Sequence, residues 1–148
     1  MKTFEDLDCW KKATVLRRRL ADVVKSFPLE EKYKLIDQIT RASRSVTANI
    51  AEGFGRFHYQ ENIQFCRHSR GSLYELIDHL IVANDEGYVS KDEVNNLKAE
   101  IESCLAVLNG YINYLAKAKL GNIHEPEELY TLQDTDTHSP HTHTTDNG

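Results

Sequence analysis

The sequence predicts an all-α fold: an antiparallel up-down-up-down four-helix bundle over residues 1–120, followed by an acidic, polar, disordered tail over 121–148. Three observations predict it. Apolar residues recur at steps of three and four through the first 120 residues, which is the period of an amphipathic helix. No stretch alternates with period two, so there is no sheet to build. Short junctions cut the pattern into four segments of roughly 20 to 30 residues, a length and spacing that suit a bundle with short loops.

The first segment runs from about Leu7 to Phe27, with Leu7, Trp10, Ala13, Leu16, Leu20, Val23, Val24 and Phe27 on one stripe. Pro28 closes it, because proline disfavours helix at the residue before it. The second opens at "PLEEKY", where a proline and two glutamates suit a helix N-terminus, and continues through Tyr33, Ile36, Ile39, Ser43, Val46 and Ile50 until "GFGRFHY" interrupts it. The third spans about Gln60 to Asn84, carrying Ile63, Cys66, Leu73, Leu76, Ile77, Leu80 and Ile81 inward. "NDEGY" stops it, with Gly87 near the cap. The fourth begins at "SKDE", where Ser90 and Glu93 have capping-box spacing. Its stripe of Val94, Leu97, Ile101, Leu105, Leu108, Ile112 and Leu115 continues to Leu120 or Gly121. Asn109-Gly110 has the composition of a hairpin turn but falls inside this stripe, so it reads as a weak spot in a helix.

Hydrophobic residues make up 40% of the 148 and charged residues 28%, a globular composition. No apolar run approaches the roughly 18 residues of a membrane span, and "MKTFEDLDCWKK" is no signal peptide. The expected location is the cytoplasm, with no membrane partner. Cys9, Cys66 and Cys104 are an odd count without a CxxC pair, which argues against a disulfide framework or zinc site. They read as small buried hydrophobes.

The net charge of −5 divides unevenly: all 18 Lys and Arg precede Gly121, facing 17 acids, while six acids lie in the tail. Beyond Leu132 the tail holds only polar residues, proline and glycine, too little apolar surface to offset its ordering entropy. Within it Glu125–Leu132, "EPEELYTL", is a candidate short helix or docking peptide, and His138, His141 and His143 are candidate weak metal ligands set against a solvated polar tail.

The chemistry of known bundle enzymes is missing. Di-metal bundles use Glu-x-x-His, whereas His79 follows Glu75 by four and His68 follows Glu61 by seven. Ser72, Asp78 and His79 supply the residue types of a triad, but Asp78 and His79 are adjacent and no GxSxG elbow is present. "EGFGRF" lacks both the spacing and the Lys-Ser/Thr pair of a phosphate loop. The expectation is a non-enzyme without cofactor or metal.

Basic residues carry more. Arg17, Arg18 and Arg19 form a run, with Lys11, Lys12 and Lys25 nearby. Arg41, Arg44, Arg56, Arg67 and Arg70 follow with Phe57 and Tyr59 interleaved. Arginine forks suit phosphate contacts; the plainer alternative is a solvated face with pairs such as Glu52–Arg56 at i, i+4. In "SVTANIAEGFGR" the small residues Ser43, Ser45, Ala48, Ala51, Gly53 and Gly55 cluster at the end of the second segment, and "RGS" (Arg70, Gly71, Ser72) is a second small spot in the third. Small residues on both let two helix axes approach closely, leaving Asn49, Glu52 and Arg56 on one polar strip.

These same residues carry a family resemblance. Phe27, Pro28, Glu31, Tyr33, Leu35, Gln38, Arg41, Ala42, Ser45, Asn49, Ile50, Ala51, Glu52, Gly53, Gly55 and Arg56 follow the pattern FP-x-x-E-x-Y-x-L-x-x-Q-x-x-R-A-x-x-S-x-x-x-N-I-A-E-G-x-G-R. Phe65, Gly71, Ser72, Glu75 and Leu76 follow F-x-x-x-A-x-G-S-x-x-E-L, with Ser69 in place of alanine. Over about residues 4–118 the chain resembles the bacterial four helix bundle proteins encoded within intervening sequences of 23S ribosomal RNA genes. The resemblance implies a helical bundle that assembles as a homopentamer and implies no catalytic activity. A group similar in fold is the accessory protein of diversity-generating retroelements, a basic pentamer that binds a reverse transcriptase and its RNA. The acidic tail departs from the common family length.

The leading expectation is an oligomeric, non-enzymatic bundle that binds RNA or an RNA–protein complex through Arg17, Arg18, Arg19, Arg41, Arg44 and Arg56. Ser45, Asn49, Glu52, Gly53, Gly55, Gly71 and Ser72 then serve close packing or a subunit interface. The competitor is a structural or protein-interaction oligomer, for example a partner of a reverse transcriptase or another RNA-binding protein. A third option is an enzyme with a site around Asn49, Glu52 and Arg70.

Overall fold

The apolar stripes become the inner faces of four helices in the structure, a computed structural model that describes residues 3–121. Helix α1 covers Asp8–Val23, α2 Leu35–Phe54, α3 Tyr59–Asp85 and α4 Lys91–Lys119. Each packs on its neighbours in chain order and α1 closes the ring against α4, giving the up-down-up-down bundle. Among the described residues there is no strand, and no helix is long and apolar enough to cross a membrane. Leu20, Ile39, Ile50, Leu73, Leu76, Leu80, Leu97, Ile101 and Leu108 are at most 1% exposed. Burying each such side chain contributes about 1.5–3 kcal/mol relative to leaving it in water.

Two helix ends differ from the sequence pattern. Helix α1 ends at Val23 and tightens into a 3-10 turn at Val24–Ser26 before Pro28. Helix α2 does not start at Pro28: a separate 3-10 turn covers Leu29–Glu31, and Lys34 takes a non-helical conformation. The Glu31 carboxylate accepts from the Tyr88 hydroxyl at 2.8 Å and from the Leu35 N–H at 3.2 Å. These bonds hold its carboxyl below the usual glutamate range and raise the Tyr88 phenol to about 12. The Phe27 and Tyr88 rings pack 5.3 Å apart beside them. A tertiary clasp from the α3–α4 turn therefore breaks the helical phase before Leu35. Tyr33, expected in the core stripe, lies outside any helix and is 81% exposed. Ile81, also expected inside, is exposed on α3.

The other junction follows its residues closely. Gly87 sits at φ +81° after α3, with Tyr88 N–H bonded to Ala83 C=O and Gly87 N–H to Asn84 C=O. That is the left-handed glycine stop that satisfies the last carbonyls. Ser90 caps α4, its hydroxyl accepting from Glu93 N–H at 3.1 Å. The Glu93 carboxylate turns to Arg19 and leaves the reciprocal arm of the capping box unused.

Candidate functional site

The α2–α3 seam is the most extensive helix contact in the bundle, and small polar residues build it. Ser69, fully buried, donates to the Val46 carbonyl at 2.7 Å. Ser72 donates to Ser45 Oγ at 2.9 Å. Asn49 Nδ2 donates to the Ser45 carbonyl and hydroxyl, both at 2.9 Å. At the lower end Gly53 faces α3 so closely that a Cβ there would lie 2.7 Å from Asn62 Oδ1. Asn62 is itself held by Tyr111, donating Nδ2 to the phenol oxygen at 3.0 Å.

Within the chain the seam uses only part of the expected small-residue set. Ser45, Gly53 and Ser72 take part. Ala48 and Gly55 are exposed, and a Cβ on Gly71 would meet nothing within 4 Å. Helical phase explains Gly71: it stands about 200° round the helix from Ser69, so Ser69 and Ser72 face α2 while Gly71 faces out. A solvent-facing helical glycine costs about 1 kcal/mol relative to alanine. Gly71→Ala should therefore raise stability by roughly 0.5–1 kcal/mol, read as a higher urea midpoint at unchanged m.

The arginines divide by partner. Arg19 crosses to α4, reaching Glu100 at 3.0 Å and Glu93 at 3.4 Å. Arg56 pairs with Glu52 at 3.0 Å, as the i, i+4 spacing predicts, and lies over the Phe65 ring at 5.0 Å. Arg41 pairs with Asp37 at 3.6 Å on an exposed surface. Arg17 donates to Thr47 Oγ1 at 2.9 Å across the α1–α2 seam, and Thr47 Oγ1 donates in turn to the Arg44 carbonyl. This ties Arg17 to the α2 turn that begins at Arg44. Arg18 and Arg44 are exposed, and among the described residues neither guanidinium makes a hydrogen bond or ion pair. Arg67, on α3, is in the same state.

Charge is also sorted by hairpin. Residues 8–54, from the start of α1 to the end of α2, hold ten Lys and Arg against six acids. Residues 75–102, the outer half of α3 and the start of α4, hold eight acids against two cations. The Arg19–Glu93–Glu100 cluster joins the two sectors within the chain. A near-neutral body thus presents a basic α1–α2 side, legible from the sequence only once charges are counted per hairpin.

The residues of the enzyme option do not converge on one another. Asn49 is turned back to Ser45, Glu52 is held by Arg56, and Arg70 donates to Asn109 at 3.0 Å. Among the described residues no group of three or more His, Cys, Asp or Glu side chains is placed to hold a metal. His138, His141, His143 and the Glu125–Leu132 segment lie outside the described residues. Sequence reasoning missed one further feature, a groove of about 530 Å³ between α1 and α4.

Comparison with known proteins places this geometry. The family model described as 23S rRNA-intervening sequence protein matches residues 5–110. A crystal structure of a protein of unknown function from the S23 ribosomal protein family of Bacteroides thetaiotaomicron VPI-5482 has a similar fold, with a TM-score of 0.65 at 18% identity over 70% of this chain and 97% of that one. No curated protein matches the chain.

Proposed function

This chain belongs to the 23S rRNA-intervening sequence protein family, and from that premise we propose that it is a non-enzymatic RNA-binding bundle whose basic α1–α2 side contacts phosphate. The observation that carries the proposal is the pair Arg18 and Arg44. Both are exposed and, among the described residues, without ion pairs, flanking the Arg17–Thr47 bond in the sector with ten cations against six acids. Guanidinium groups free of intramolecular carboxylates have no ion pair to break before meeting a phosphate. Arg19, Arg41 and Arg56 are already paired, so their part is to shape the surface. We propose further that the protein acts as a homo-oligomer, a pentamer by its resemblance, which would multiply weak phosphate contacts by avidity.

A second reading, assembly without nucleic acid, draws on Tyr74, Ile81 and Val82. They are exposed on α3 at i, i+7 and i+8, and apolar surface of that kind commonly marks a protein interface.

One experiment separates the two. A structured RNA should shift in mobility with this protein, and each phosphate contact should contribute a log–log salt slope of about −0.7 to −0.9. Arg18→Glu with Arg44→Glu should abolish the shift while light scattering reports an unchanged assembly. An oligomer that gives no shift even at low salt would leave the assembly reading in its place.

A further inference from the structure

We propose that the α1–α4 groove is the docking site of this chain's own segment Glu125–Leu132. The groove is lined by Lys11, Lys12, Val15, Leu16, Cys104 and Val107 together with Asp8, Glu100 and Ser103. It opens on the least extensive contact between neighbouring helices. Val15 is 61% exposed there, although Ala13, Leu16 and Leu20 on the same helix are buried. Lys11 and Lys12 are exposed, and among the described residues neither forms an ion pair. Glu100 is committed to Arg19, and Asp8, which has no ion pair among the described residues, is the other lining carboxylate beside the two lysines. The groove thus sets Val15, Leu16 and Val107 beside two lysines that have no ion pair among the described residues.

The segment carries acidic residues for the lysines and apolar residues for the valines. Glu125, Glu127 and Glu128 come first, then Leu129, Tyr130 and Leu132, and no apolar side chain follows among residues 133–148. Connection and reach agree. Helix α4 runs antiparallel to α1, since Arg19 pairs with Glu93 and Glu100 while Asp8 and Lys12 share the groove with Cys104 and Val107. The chain therefore leaves α4 at the end of the bundle where α1 begins. From Val107 to Gly121 is about 21 Å along the helix axis, and residues 122–129 can span up to about 26 Å extended. Leu129 can thus return to the level of Val107, and Leu132, with a reach of about 36 Å, to that of Val15, which leaves Glu127 and Glu128 within side-chain reach of the lysines.

The test is zero-length carbodiimide coupling of carboxylates to lysines in the full chain, mapped by mass spectrometry on a mixture of isotope-labelled and unlabelled protein. Docking predicts intrachain links from Glu127 and Glu128 to Lys11 and Lys12. Links to Lys32 and Lys34, which precede α2 at the opposite end of the bundle, should be absent. Leu129→Asp with Tyr130→Asp should abolish the Lys11 and Lys12 links and quicken maleimide modification of Cys104, which lines the groove. Links spread evenly over all lysines would overturn the proposal. So would Lys11 and Lys12 links that join only labelled to unlabelled chains, since a second copy would then occupy the groove. Links that survive the double substitution would overturn the apolar contact on which the docking depends.

Discussion

Gly53→Leu is expected to break the bundle at the α2–α3 seam. Any Cβ at this position would lie 2.7 Å from Asn62 Oδ1, 2.9 Å from Phe65 Cβ and 3.1 Å from the Asn62 carbonyl. None of these neighbours moves freely. The Asn62 side chain is tied to Tyr111 and accepts from the Cys66 thiol at 3.6 Å, while the other two atoms are fixed to the α3 backbone. Relief therefore requires the helices to part, which strains the Ser69–Val46 and Ser72–Ser45 bonds. Overpacking of this kind costs about 1–3 kcal/mol. For Gly53→Ala part of that is offset by the roughly 1 kcal/mol preference of helices for alanine. The longer leucine side chain exceeds what the seam can absorb. Urea unfolding should give Gly53→Ala a lower midpoint at unchanged m. Gly53→Leu should lose its cooperative transition and aggregate in light scattering. Gly55→Ala, whose Cβ would meet its nearest neighbour at an ordinary 3.5 Å, should unfold like the parent. A Gly53→Ala protein with the parental midpoint would refute the close approach.

The four helices and most of the core were legible because apolar period survives burial almost unchanged: Leu73, Leu76 and Leu80 read as one stripe and pack as one. Misreadings arose where a tertiary bond overrode local pattern. Tyr33 has the right spacing for the α2 stripe, but Glu31 is drawn to Tyr88, which lies 57 residues away, and the helix begins two residues after the tyrosine. No local signal encodes that clasp. The candidate site was legible to a similar depth. Residue types nominated the arginines and the small residues of "SVTANIAEGFGR". Which arginines keep a free guanidinium depends on cross-helix partners, as Arg19 with Glu100 and Arg17 with Thr47 illustrate. Among the glycines, helical phase separates Gly53, pressed against α3, from Gly71, which faces out. The α1–α4 groove was invisible because it arises from helix separation, and no residue type marks separation.

Alkaline pH should unfold the protein well before its backbone chemistry suffers, through the core thiols. Cys9, Cys66 and Cys104 are all buried, and burial is the leading cause that raises Cys9 and Cys66 to about 12 and Cys104 to about 11, from an ordinary 9.0. Burial likewise raises the Tyr111 phenol. A group whose folded pKa is raised contributes stability that is fully present below its unfolded pKa and is lost as pH climbs toward the folded value. Below pH 9 nothing is lost. Between about 9 and 11 the unfolded chain releases protons that the folded core retains. Each thiol then lowers the unfolding free energy by up to about 1.4 kcal/mol per pH unit, or about 4 for all three. Against a typical domain stability of about 5–15 kcal/mol, that slope should bring unfolding within reach near pH 11. Urea titrations followed by Trp10 fluorescence under reducing conditions, from pH 8 to pH 10.5, measure it directly. Cys66→Ala should remove about a third of the slope whatever it does to stability at pH 8. That separates the thiols from the lysines, which also deprotonate in this range but remain in the variant. A flat profile from pH 8 to 10.5, or a slope that Cys66→Ala leaves unchanged, would mean that the thiols are not held protonated in the core.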